Sequence, residues 1–185
     1  MQEIITIART AIEMMPPQER FSEADRDLIT ANQSVLLPMG EDIVQSFYNT
    51  LFAHGPTAAV FHEGERPARE QTLRDFWQRT ITGELDEQYF AWMALVGLVH
   101  VVRGVENPMM IAMAHHIASY VEEHQPNAEL SAAFTRLMET VSAVVVSGFD
   151  HAKAKALNEI VGMEPALLLR LSKQEAATML ERARR

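Results

Sequence analysis

Apolar residues recur along this chain at intervals of three and four, and that spacing predicts helices almost from end to end. Residues 3–15 form a short amphipathic helix stopped by Pro16-Pro17. Ser22, with Asp25 three residues on, has the form of a capping box, and Phe21 can staple onto the first turn of a second helix carrying Leu28, Ala31 and Val35. Pro38 suits the first turn of a third helix, with Glu41 and Asp42 at its positive end and Ile43, Val44, Phe47, Tyr48 and Leu51 on one face. His54-Gly55-Pro56 closes it, residues 57–61 make one more turn, and residues 62–66 read as loop. A fourth helix runs from Pro67 to Ile81, with Thr72 expected on its inward face, and ends at Thr82-Gly83. Asp86 caps a fifth, whose inward face carries Tyr89, Met93, Val96, Gly97 and His100. The sixth opens at Asn107-Pro108, passes through Met110, Met113 and Ile117, and is broken at residues 125–127. The seventh is long, from Glu129 to about Val161, and Glu164-Pro165 opens an eighth. Nothing reads as a strand of useful length, so the expected class is all-α. Residues 1–162 are expected to form one domain, with 163–185 a C-terminal helical extension.

Composition narrows the picture. A chain of 185 residues can bury a substantial single core, and 48% hydrophobic with 22% charged residues is an ordinary globular balance. The net charge of −9 argues against binding nucleic acid through its phosphates. There is no cysteine, which excludes structural disulfides, thiolate zinc sites, iron–sulfur clusters and c-type haem attachment. The first residues contain Glu3 and Glu13 and no basic leader, unlike a secretory signal. No run approaches the roughly 20 apolar residues of a membrane span, so no membrane is expected and the expected address is the cytoplasm.

Familiar catalytic patterns are missing. The sequence has no GxSxG elbow, no GxxxxGK[ST] loop, no GxGxxG turn and no HExxH. His115 and His116 are adjacent and point about 100° apart on a helix, so they cannot chelate as an i,i+4 pair does. What stands out instead is the stretch Gly83 to Met110, where His100 sits on an apolar helix face one turn beyond Gly97. Such an imidazole is either an axial ligand to haem iron or a core histidine bonded to a carbonyl. Tyr48, Thr72, Phe61 and the methionines Met109, Met110 and Met113 lie on the faces turned toward the same apolar space.

Four pieces fall in a recognisable order: FYNTLFAHGPTAAVF, EQTLRDFW, ITGELDEQYF and VGLVHVVRGVENP. In spacing and sequence they resemble the sensor-globin family, that of globin-coupled sensors and protoglobins, across roughly residues 20–160. The extra N-terminal helix is also similar. The resemblance implies a globin-like helical fold that holds haem b. It implies His100 as the proximal ligand to iron, Tyr48 as the distal donor to bound dioxygen, Thr72 at the second distal position and Phe61 wedged against the porphyrin. Phe76, Met93, Val96, Gly97, Arg103, Met109 and Met113 complete the implied cofactor-binding set, with Arg103 meeting either a propionate or a surface acid. Two departures bear on the proximal side. Met109-Met110 stand where the family often has an aromatic pair, and the turn from Gly104 to Pro108 is one residue longer.

The implied function is reversible binding of a diatomic gas, O2 foremost with CO and NO possible, as a sensor or carrier and not as a catalyst of turnover. The alternatives are a haem-free sensor globin acting as an interaction module, and haem-based redox chemistry. The seventh helix is apolar on more than one face (Val141, Val144, Val145, Val146, Phe149). That pattern predicts burial on two sides and a homodimer through the last long helices.

Overall fold

The computed structural model describes residues 1–184, which are helical with no strand among them. In chain order the helices are α1 (Gln2–Glu13), α2 (Glu23–Ala31), the single turn α3 (Gln33–Leu36), α4 (Gly40–Ala53) and the turn α5 (Gly55–Ala58). They continue with α6 (Arg66–Thr82), α7 (Glu87–Arg103), α8 (Asn107–His124), α9 (Ala128–Glu159) and α10 (Pro165–Ala183). The chain divides into two compact units, Met1–Phe149 and the stretch from Asp150 onward. The candidate site lies wholly in the first.

Local signals start and stop these helices as the sequence predicts. Ser22 Oγ accepts from the Asp25 amide while Asp25 Oδ2 accepts from the Ser22 amide at 2.9 Å, a complete capping box. Asp86 Oδ1 accepts from the Tyr89 amide at 2.9 Å and opens α7. Pro38 lies in a 3-10 turn, Leu37–Met39, just ahead of α4. Gly104, at φ +70°, closes α7 in the left-handed conformation that glycine adopts without a Cβ penalty.

Asp25 does more than cap. It is buried, and its carboxylate takes both the Nε and Nη2 donors of Arg136 on α9, so the capping box also ties α2 to the longest helix. Burial disfavours its charge, but the bonds from Arg136 and Ser22 outweigh that and hold the carboxyl below its ordinary range. The contribution is therefore present above the ordinary carboxylate range and is lost as pH falls through the lowered folded value. Asp25→Ala removes the carboxylate half of the capping box and strands a guanidinium that is still one-third exposed. The expected loss is about 2–3 kcal/mol by urea denaturation. Glu23→Ala, on the exposed side of the same turn, should stay within about 0.5 kcal/mol.

Packing is closest where α7 crosses α9. A Cβ on Gly97 would come 2.1 Å from the Val145 carbonyl oxygen, and one on Gly148 would come 2.3 Å from the Ala94 carbonyl oxygen. The two backbones meet through Ala94 and Gly97 on one side and Val145 and Gly148 on the other. α1 packs along α7 as well, burying Ile5, Ile7, Ala8 and Ala11, with Arg9 paired to Glu87 at 2.6 Å. α7 is thereby held on two faces.

α9 corrects one expectation. By length and hydropathy alone it could cross a membrane. However, 56% of its most apolar window is buried. Leu130, Phe134, Leu137, Met138, Val141, Val144, Val145 and Phe149 all lie in the core of the first unit.

Candidate functional site

The site is built on the last turns of α7. Gly104 donates its N–H to the Val101 carbonyl and Val105 donates to the His100 carbonyl at 3.0 Å, the two bonds of a Schellman closure. His100 therefore stands on a fully tied helix end. Its Nδ1 is buried and has no hydrogen-bond partner among the described residues. Burial, with the positive charge of Arg103, lowers its pKa to about 4. The ring is neutral near pH 7, so a lone pair is available without first shedding a proton. A core histidine bonded to a carbonyl through Nδ1 is not what the structure shows. An unbonded buried nitrogen of this kind costs about 1–3 kcal/mol unless something takes it.

Tyr48 comes from α4, which two sets of contacts hold beside α6. A Cβ on Gly40 would lie 2.6 Å from Trp77 Cδ1, so the start of α4 seats directly on that indole. Glu41 pairs with Arg74 at 2.7 Å, and Arg66 reaches Asn49 Oδ1 at 2.8 Å while pairing with Glu70. Tyr48 itself is buried, and its hydroxyl donates to the Arg69 carbonyl at 2.8 Å. Its pKa rises to about 12, from burial first, and it feels the charges of Arg69, Glu70, Arg103 and Glu65. Phe61, after α5, lies with its ring centroid 4.9 Å from a tilted Phe52 ring and 6.0 Å from Tyr48, edge to face.

Tyr48 and Phe61 lie together in one aromatic cluster, and the charge of Arg103 reaches both the Tyr48 phenol and the His100 imidazole. The remaining predicted residues distribute differently. Met93 is fully buried in the core, and Met110 and Met113 are buried on α8, with Val96 and Met109 half-buried. Phe76 packs instead on Trp92, at 6.2 Å between ring centroids. Gly97 faces the α9 backbone. Thr72 is corrected: it is exposed and its hydroxyl bonds back to the Ala68 carbonyl at 3.1 Å. Leu73, Trp77 and Ile81 set the buried face of α6, and Thr72 falls about 100° from Leu73 around the helix.

Sequence reasoning named Arg103 but missed the carboxylate and the second guanidinium beside it. Glu65 takes Arg103 at 2.7 Å and Arg69 at 3.3 Å, and its carboxyl is pulled down to about 2, chiefly by the Arg103 bond. The Glu65–Arg69 half has helical i,i+4 spacing and was legible in principle. The Arg103 half joins residues 38 apart and needed the fold. The buried Tyr89–Thr80 hydroxyl pair (2.9 Å) and the Ser46–His116 contact (3.0 Å) were likewise not foreseen.

An all-α fold with a half-buried histidine near the end of one helix and a buried, aromatic-flanked tyrosine on another is that of a globin-like protein. The sequence model of the Protoglobin family matches residues 19–158, and the chain belongs to that family. No curated protein matches it significantly.

Proposed function

We propose that this protein binds haem b through His100 and uses it to hold a diatomic gas, O2 foremost, as a sensor or carrier. The observation that carries the reading is the half-buried His100, whose Nδ1 is buried without a hydrogen-bond partner among the described residues, in a chain of a globin family. Haem supplies the iron at which a gas can bind. The chain would supply the His100 imidazole to hold the iron and the Tyr48 hydroxyl as a donor. The haem-free alternative has less support, because a chain with no cofactor has no use for an unpaired buried imidazole. The test is an absorption spectrum of the purified full chain after haemin addition. An intense Soret band that shifts with CO supports the reading, and a colourless chain ends it.

Tyr48 is the proposed donor to the gas. Its hydroxyl has one proton, now directed at the Arg69 carbonyl, so donation requires that bond to be exchanged for one to the ligand. Tyr48→Phe should raise the O2 dissociation rate by about tenfold, the equivalent of one hydrogen bond of about 1–2 kcal/mol, as read by laser photolysis or stopped flow. CO, a poorer acceptor, should respond less. An unchanged O2 rate would move the donor role to another side chain.

We also propose a homodimer through the last two helices. Ile160 and Val161 are exposed, and so are Leu167, Leu169, Leu171, Met179 and Leu180, while no described α10 residue is buried. Light scattering that returns a monomer mass would refute it.

A further inference from the structure

Arg103 stands one turn beyond His100, and its guanidinium is already engaged. Nη1 lies 2.7 Å from Glu65 Oε1 and Nη2 donates to Glu65 Oε2 at 2.8 Å, so one fork grips both oxygens of one carboxylate. The same carboxylate accepts the His62 N–H at 3.1 Å and lies 3.3 Å from Arg69 Nε. That Nε is buried and makes no hydrogen bond among the described residues. Both partners of the central pair are well shielded, with side chains 22% and 15% exposed. Two guanidiniums and a backbone amide therefore converge on a carboxylate that the chain itself provides. The neighbours of this nest are the two side chains of the proposed site. Tyr48 bonds the carbonyl of Arg69, and His100 feels the charge of Arg103.

Haem carries two propionate carboxylates on one edge of its ring, and a bidentate guanidinium is the group best matched to them. We propose that Arg103, with Arg69 beside it, is the propionate-binding site, and that Glu65 is an internal carboxylate which a propionate must displace. The segment 62–65 then acts as an ion-paired latch on cofactor uptake. This rests on the reading of the site as a haem site. The exchange replaces one carboxylate by another on the same fork, so no net charge is added to the guanidinium and no proton has to move. Phe61 precedes the latch directly. Its ring contacts with Phe52 and Tyr48 close the phenol side of the site, so a segment that lets go of Arg103 also frees Phe61 to move.

The test compares uptake and release of haemin with its dimethyl ester, whose propionates are masked, using the full chain prepared without haem. Glu65→Gln should speed haemin uptake about fivefold and leave the ester unchanged, because a neutral amide releases the fork more readily. Arg103→Gln should raise haemin release about tenfold and leave ester release unchanged. Glu63→Gln, in the same loop, should change neither. One readout needs no variant: the His62 amide, held by Glu65, should exchange with deuterium faster once haemin is added to the wild-type chain. Equal responses of haemin and ester to both variants, or a His62 amide that does not change, overturn the latch. A wild-type chain that takes up neither pigment overturns the haem reading as well, so the two failures are distinguishable.

Discussion

Gly97→Ala is expected to destabilise the protein by about 2 kcal/mol, although alanine is the better helix former. Helix propensity alone predicts a gain of about 1 kcal/mol for this change in a helix interior. The close crossing predicts the opposite sign. The new methyl would meet the Val145 carbonyl oxygen at 2.1 Å, the Val145 carbonyl carbon at 3.1 Å and the Phe149 amide nitrogen at 2.9 Å. All three are backbone atoms, so no rotamer change relieves the clash and α7 must move off α9. Overpacking of this kind costs about 1–3 kcal/mol and sometimes more, here set against the propensity gain. The urea midpoint should fall with the slope unchanged, and the melting temperature should drop by roughly 4–8 °C. Gly148→Ala attacks the same crossing from the other side. The double variant should lose less than the sum of the two, since helices already pushed apart by one methyl have room for the second. A Gly97→Ala protein as stable as wild type would mean that the two backbones do not approach so closely.

That glycine shows where sequence reading reaches its end. Periodicity placed Gly97 on the inward face of its helix, and it is buried there. Periodicity gives a face but not the neighbour on that face. A backbone carbonyl of a helix some 50 residues on leaves no trace in local spacing, so the residue read as one that would lie against a cofactor lies against α9. The same limit moved Thr72. A threonine between Gln71 and Leu73 is compatible with either side of the apolar stripe, and only the anchoring of Leu73, Trp77 and Ile81 decides its phase. By contrast, features set by adjacent residues were legible in detail. The Ser22–Asp25 box and the Asp86 cap are local hydrogen-bonding problems with few solutions. The helical class, the long α9 and its buried stripe followed from the same cause: a 3.6-residue period sustained over many turns.

The burial of Tyr48 and of a His100 ring nitrogen was legible, because a histidine or tyrosine on an apolar face is conspicuous against its surroundings. Of the site's charges only Arg103 was named. Glu65 and Arg69 sit in a polar stretch, where a solvated side chain is the normal outcome. Their convergence with Arg103 depends on α7 ending beside the segment that leads into α6. The sequence leaves Arg103 between a propionate and a surface acid; the structure supplies an acid, Glu65.

His100→Gly should cause the largest functional loss, with the Soret band of the haemin-loaded chain weakened and shifted and haem affinity lowered by more than about a hundredfold. The scale follows from a comparison: removing only a group that supports a metal-ligating histidine already costs about 10–100-fold, and here the ligand itself is removed. The fold should tolerate the change better than the site does. The His100 carbonyl, not its ring, makes the bond that closes α7, and Nδ1 has no partner among the described residues to be stranded. Extra backbone freedom in the last turn should cost about 1 kcal/mol, less than the crossing loses in Gly97→Ala. Free imidazole should then restore the band, since the glycine leaves a buried space shaped by the lost ring. Rescue separates ligation from structure, because a variant that lost haem by unfolding would not recover on adding a small base. His116→Gly provides the control: its ring lies 3.0 Å from the Ser46 hydroxyl and is already satisfied, so its loss should leave the spectrum unchanged. A Soret band that survives His100→Gly intact would put the iron on another side chain, and the unbonded nitrogen on α7 would then need a different explanation.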